Sequence, residues 1–147
     1  MNARAFDRAD VLAYMRKHRF AVLSSCAADG APQGALLGVA TTDSMQLVFD
    51  TVVTSRKHQN LLRDPRVAAT FSGPEEQTLQ LEGVARPVST SGPEDALYRE
   101  AYYLAWPDGH ERLRWPNLSY WRILQRWARY SDFSAGPLIV EFLWDAG

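Results

Sequence analysis

The sequence predicts a mainly β chain with a few helices (α+β): a small closed antiparallel barrel with helices packed on it. Three observations predict it. Two hairpin turns follow one another early in the chain, at Asp29-Gly30 and at Thr42-Asp43-Ser44, and successive hairpins build antiparallel sheets. Thr78 to Ser89 alternates, with Leu79 and Leu81 on one face and Thr78, Gln80 and Glu82 on the other, which is the period of a strand. Finally, helical patterns are few and separate the strand candidates: helix, three strands, helix, two strands, helix, then one or two strands.

Each element has its own justification. Val11, Leu12 and Met15 recur at helical spacing from Asp7 to about His18, with Arg16, Lys17 and His18 at the end where cations are favoured. Phe20–Ala27 is an apolar run of strand length. Pro32 to Thr41 is a second strand rich in small residues, and Met45–Asp50 a third. Ser55 or Thr54 caps a helix through His58, Leu61 and Leu62 that stops before Asp64-Pro65. Arg66–Ser72 is a fourth strand, Gly73-Pro74 a turn and Thr78–Ser89 a fifth strand. Gly83 inside it marks a bulge or a close backbone approach. Ser91-Gly92-Pro93-Glu94-Asp95 starts a helix through Leu97, Tyr98 and Ala101. Trp106 to Pro116 reads as irregular, broken by prolines and Gly109. Ser119 to Asp132 fits a helix lined by Trp121, Leu124 and Ala128. It fits equally a strand with Tyr120, Arg122, Leu124, Arg126, Ala128 and Tyr130 on one face. Pro137–Trp144 is a last strand.

Length and composition bound the function. The 147 residues suit one domain, 1–147, with one core. The 16 Lys and Arg against 17 Asp and Glu give a net charge of −1, so no basic field supports nucleic-acid binding. The single cysteine, Cys26, has no partner for an internal disulfide and reads as a small core residue. Met1 to Arg19 lacks an apolar signal core, and no apolar run approaches membrane-spanning length. The expectation is a soluble, cytoplasmic protein. His18, His58 and His110 have no metal-ligand spacing, and no metal is expected. Ser24 and Ser25 lack the context of an acyl-transfer nucleophile, and there is no P-loop or dinucleotide fingerprint.

The most informative stretch joins the third strand to the second helix. That helix opens on Ser55-Arg56-Lys57. Free backbone N–H groups and the positive end of the helix dipole already attract anions there. Two adjacent cations at that end are unfavourable on dipole grounds unless an anion compensates them. The pattern predicts a phosphate site, set against the plainer reading of a solvated basic turn. Leu36-Leu37-Gly38-Val39-Ala40 is slim enough for a flat ring to lie against, and Thr78 and Gln80 offer polar ends on another strand. Taken singly, these residues read more simply as core and solvent-facing positions. Arg122, Arg126 and Arg129 interleave with Trp121, Trp127 and Tyr130, a mixture suited to stacking on single-stranded nucleic acid or to a subunit interface, and the near-zero net charge favours the interface.

Together these residues resemble a family. Phe49-Asp50-Thr51, Ser55-Arg56-Lys57, Asn60-Leu61 and Asp64-Pro65-Arg66-Val67, followed by Glu76 to Ala85, are similar to the signature of the pyridoxamine 5′-phosphate oxidase-like, FMN-binding split-barrel proteins. The resemblance is good from Phe20 to Ser89 and looser from Tyr120 to Phe142. It implies a six-stranded antiparallel split β-barrel that forms a homodimer with one FMN in each of two clefts between subunits. It implies that Ser55, Arg56 and Lys57 take the FMN phosphate and that Asp50 and Thr51 contact the cofactor. Leu36, Leu37 and Gly38 would lie against the flavin ring, with Thr78 and Gln80 at a further strand. Trp127 and Arg129 are counted with the cofactor contacts on the looser match. It also implies that Ser119 to Asp132 is mainly strand.

The departures are informative. Where the oxidase proper has an arginine for the cofactor and a lysine for the substrate phosphate, this chain has Ala35 and Ala40. Thr78 stands for a flavin-contacting glutamine, and the oxidase's C-terminal segment has no clear counterpart. These changes argue against pyridoxamine phosphate as substrate. The resemblance therefore implies an FMN-dependent oxidoreductase of unknown substrate and without an identified catalytic residue. The alternative is a non-catalytic protein that binds or stores flavin, F420, heme or a B6 phosphate, as relatives of this general fold use F420 or heme.

Overall fold

The computed structural model describes residues 5–145. Helix α1 (Arg8–Lys17) starts on a capping box in which the Asp7 side chain accepts from the Asp10 N–H. Three strands follow: β1 (Phe20–Cys26), β2 (Pro32–Gly38) and the short β3 (Ala40–Thr41). Next come β4 (Leu47–Val52), α2 (Arg56–Arg63), β5 (Arg66–Ser72) and β6 (Gln77–Val88). A single 3₁₀ turn at Pro93–Asp95 leads into α3 (Ala96–Ala105). The chain ends with α4 (Gly109–Arg112), β7 (Leu118–Asp132) and β8 (Leu138–Leu143).

All strand pairs are antiparallel, in the order β2-β1-β5-β6-β7-β4-β3, with β8 also on β7. The first and last strands of that path belong to one stretch of chain. The strand expected over Pro32 to Thr41 is interrupted at Val39, whose N–H bonds to the Arg19 carbonyl and whose carbonyl accepts from Trp106 Nε1. The two halves therefore serve opposite ends of the sheet, and the sheet must curl to let them. That interruption, together with β8, raises the strand count to eight against the six expected. The sheet is a curled half-barrel rather than a ring sealed by hydrogen bonds.

Inward side chains fill the curl. Leu23, Leu47, Phe49, Phe71, Leu79, Leu81 and Ile123 are all at most 2% exposed, and fully burying each such side chain contributes about 1.5–3 kcal/mol. A second cluster, Ala40, Val48, Val88, Tyr102 and Tyr120, lies where α3 covers the sheet.

Two differences from the expected elements have local causes. The third strand starts at Leu47 rather than Met45 because the turn is wider. Thr42 Oγ1 accepts from the Gln46 N–H, and Met45 takes φ 70°. The stretch from Ser119 is strand, but Tyr120, Arg122, Leu124, Arg126, Ala128 and Tyr130 do not share one face throughout. A bulge places Trp127 opposite Glu82 and Gln125 opposite Gly83, leaving Arg126 as the extra residue. The side chains turned into the barrel core are Trp121 and Ile123 before the bulge, then Ala128 and Tyr130 after it, while Tyr120 is buried under α3 on the other side. Gly83 is required there, because a Cβ would strike the Leu124 carbonyl oxygen.

Candidate functional site

Helix α2 is placed by its cap. Ser55 is extended, and its Oγ accepts from the His58 N–H at 3.2 Å and from Thr51 Oγ1 at 2.9 Å. Asn60 and Leu61 fix the inner side of the helix by burial. The helix, with no acid in its first turn, is thereby held against β1.

An open cleft of about 260 Å³ results, lined by Leu23, Ser25, Gln33, Gly34, Ala35, Arg56 and Lys57. Arg56 is exposed and Lys57 half-buried. Among the described residues neither forms an ion pair. Burial pushes the Lys57 ammonium below its ordinary pKa, and the nearby Asp50 carboxylate opposes that shift. The cation is thus desolvated without a dedicated acid, a state that an incoming anion relieves.

A second cleft, about 250 Å³, is lined by Phe20, Leu37, Gly38, Asp50, Tyr102, Trp106, Asp108 and Arg112. Both clefts share β2, with residues 33–35 at the first and Leu37-Gly38 at the second. Among the described residues strand β2 pairs only with β1, which leaves the backbone groups of its other edge without a strand partner there. At Gly38 the Trp106 indole packs so closely that a Cβ would meet it at 2.6 Å.

The second cleft carries a charge cluster that the sequence did not announce. Arg112 Nε donates to Asp50 at 2.8 Å, its Nη1 to Asp108 at 3.0 Å and its Nη2 to the Tyr102 hydroxyl at 2.7 Å. The i,i+4 spacing of Asp108 and Arg112 was the only available signal in a stretch read as irregular. Burial raises the pKa of the Tyr102 hydroxyl, which stays protonated at neutral pH. His58 is locked as well. Trp121 Nε1, which can only donate, points at its Nδ1 at 3.1 Å, and Ser119 Oγ lies 3.0 Å from the same atom. Burial holds the His58 pKa below its ordinary value.

Beneath the first cleft lies a network that sequence reasoning also missed. Asn60, 5% exposed, donates from Nδ2 to Ser25 Oγ at 3.0 Å and to Gln33 Oε1 at 2.8 Å. Its Oδ1 accepts from Arg63 Nη2 at 2.9 Å.

Seven of the twelve predicted site residues fall into two groups. Thr51, Ser55, Arg56 and Lys57 gather at the first cleft's helix start, and Leu37, Gly38 and Asp50 at the second. Leu36, Gln80 and Arg129 lie instead along one row of the sheet, Leu36–Val22–Thr70–Gln80–Arg129, each a strand apart. Leu36 is 69% exposed on that face. Thr78 pairs with Ser131, and Arg129 stacks over Trp127 and bonds Glu141. None of Thr78, Gln80, Trp127 and Arg129 lines either cleft. A larger concavity, about 550 Å³, lies elsewhere between α1, β3 and α3. Its guanidinium groups are engaged by the protein, Arg16 by the Thr41 carbonyl and Asp43, Arg19 by the Ala105 carbonyl.

A half-barrel with clefts along an unpaired strand edge belongs to the split-barrel class of folds. The chain belongs to the pyridoxamine 5′-phosphate oxidase-like family: residues 8–130 match the family model described as pyridoxamine 5′-phosphate oxidase. No curated protein matches the sequence at a significant level. Among solved structures, a heme-binding protein from Mycobacterium smegmatis is similar at TM-score 0.78 and 18% identity, over 97% of this chain and 59% of that one. This chain thus spans about three fifths of that protein. A pyridoxamine 5′-phosphate oxidase-related, FMN-binding protein from Nostoc punctiforme is similar at TM-score 0.70 and 13% identity, over 99% and 100% of the two chains. A conserved hypothetical protein from Mycobacterium tuberculosis matches at TM-score 0.72 and 22% identity, over 90% of each chain. At these identities the likeness is one of fold. No helix among the described residues is long and apolar enough to cross a membrane.

Proposed function

We propose that this protein binds FMN along the free edge of β2 and acts as a flavin-dependent oxidoreductase. One observation carries the reading: Arg56 and Lys57, without an ion-pair partner among the described residues, share a cleft of about 260 Å³ with residues of β1 and β2. Charge-assisted donors of this kind fit a phosphate dianion. The FMN-binding relative of the same fold supports the choice of ligand.

In this reading Arg56 and Lys57 hold the phosphate, and Ser55 and Thr51 fix the helix start beneath it. Leu36, Leu37 and Gly38 supply the backbone beside the ring. Asp50 stays held by Arg112, which keeps its charge from neutralising Lys57. Trp106 closes the far end against water. The flavin, when bound, supplies hydride chemistry, and the protein supplies anchoring and orientation.

The exposed apolar side chains of Phe20, Val22 and Leu36, 55%, 41% and 69% exposed, support a second copy packing on this face. In such a homodimer Thr78, Gln80, Trp127 and Arg129 reach the partner's cofactor rather than their own. The test is to denature the purified protein and look for released flavin, then to reduce bound flavin with NAD(P)H and measure turnover. A colourless protein that gains no flavin signal on adding FMN refutes the proposal.

A second reading, non-catalytic binding or storage, is favoured by specific features. Alanine occupies positions 35 and 40, and two groups able to move protons are spent, Asp50 on Arg112 and His58 Nδ1 on Trp121. The heme-binding relative adds heme as a candidate, beside F420 and a B6 phosphate. Bound flavin without NAD(P)H turnover, or a heme absorption band, selects it.

A further inference from the structure

We propose that Gln33 and Ser25 complete the anion site as hydrogen-bond donors, set in that role by Arg63 through Asn60, and so replace the cation absent at Ala35. The inference rests on reading the Arg56–Lys57 cleft as a phosphate site.

The argument runs from a residue with only one option. A guanidinium has donors and no acceptor. The Asn60 atom 2.9 Å from Arg63 Nη2 must therefore be its oxygen. That choice turns the Asn60 amide nitrogen toward Ser25 and Gln33, and both its N–H bonds are used there. The Gln33 atom facing Asn60 must then be the oxygen, because two amide nitrogens cannot bond each other. Its –NH₂ is left over, and among the described residues it donates to nothing. Ser25 Oγ accepts the other Asn60 N–H, so its own proton remains to be given.

Both residues line the cleft that holds Arg56 and Lys57. Ser25 and Asn60 are each only 5% exposed, so the relay is locked by burial rather than left to solvent. Gln33 and Ala35 stand two apart on β2 and share a face. The amide at 33 thus lies beside the position where the resemblance leads one to expect an arginine. The result is a cleft of two cations and two oriented neutral donors. A phosphate monoester dianion, rich in acceptors and without a donor of its own, is the ligand end that such a set recognises.

The experiment compares FMN with riboflavin, which differ only in the phosphate. Gln33→Glu keeps the oxygen that Asn60 bonds and replaces the donor by an anion. Gln33→Met removes the donor without adding charge. With melting temperatures close to the parent's, FMN affinity is expected to fall ~10-fold or more for Gln33→Glu and ~3-fold or more for Gln33→Met, with riboflavin affinity within about twofold. A Gln33→Met protein that keeps the parent's FMN-to-riboflavin ratio overturns the proposal. Should the parent bind neither flavin, the flavin reading fails, and inorganic phosphate then decides the donor set. A shift of the Gln33 side-chain amide NMR signal on adding phosphate upholds it, and an unmoved signal overturns it.

Discussion

Replacing Arg112 by leucine tests the charge arrangement on which the site depends. Arg112 and Asp50 are 18% and 15% exposed in their side chains, with Nε and Oδ2 2.8 Å apart. Removing one partner of a fully buried pair costs about 3–5 kcal/mol, mostly because the other charge is stranded. Here each group keeps about a sixth of its exposure, and Arg112 also serves the Tyr102 hydroxyl and Asp108. The expected cost of Arg112→Leu is therefore about 3 kcal/mol, a large share of a typical 5–15 kcal/mol stability. For a chain of this size that lowers Tm by roughly 6–12 °C. Asp50→Asn in the same background removes the stranded charge and should return about 1–2 kcal/mol as coupling between the two sites. Urea denaturation of the parent, both single variants and the double variant measures the cycle. The freed Asp50 also turns its charge on Lys57, so Arg112→Leu should weaken FMN binding several-fold and the double variant restore it. A coupling below about 0.5 kcal/mol, or FMN affinity unchanged in Arg112→Leu, would refute the reasoning.

Three further outcomes follow from the same geometry. Lys57→Met should cost more FMN affinity than Arg56→Met, about 30-fold against about 10-fold, since Lys57 is half-buried and Arg56 exposed; equal losses in a fluorescence-quenching titration would contradict this weighting. His58 has a folded pKa below its ordinary 6.5, so under pH 6.5 the unfolded chain takes up a proton that the folded chain resists. Stability should therefore fall from about pH 6.5 down through the folded pKa and then level off, and His58→Gln should lose that step in melting curves taken across the range. Gly83→Val should destabilise by about 3 kcal/mol, because its side chain meets the Leu124 carbonyl across the bulge; a Tm within 2 °C of the parent would mean that the strands separate easily there.

Much of the sheet was legible because local pattern and local environment agree. Leu79 and Leu81 alternate with Gln80 and Glu82, and the barrel interior takes the leucines. Ser55 reads as a cap and serves as one. The stretch from Ser119 to Asp132 was ambiguous for a physical reason. Its bulge at Arg126 switches the inward set from odd to even positions, a pattern that neither a regular strand nor a helix reproduces. Val39 gave no sign of breaking its strand, because the cause is a contact with Trp106 from far along the chain.

The same division runs through the site. Ser55-Arg56-Lys57 announced itself because a helix start concentrates backbone donors and dipole locally, and two cations there need an anion to explain them. The sequence alone determined much of the strand pattern and the cap, and it carried the expectation of an anionic ligand. What Asn60, Ser25, Gln33 and Arg63 do together depends on three elements meeting, β1, β2 and α2, and no spacing in the chain encodes it. The pairing of Asp50 with Arg112 joins positions 62 residues apart. Tertiary structure alone decided these, because donor direction and charge pairing depend on which surfaces are buried against each other.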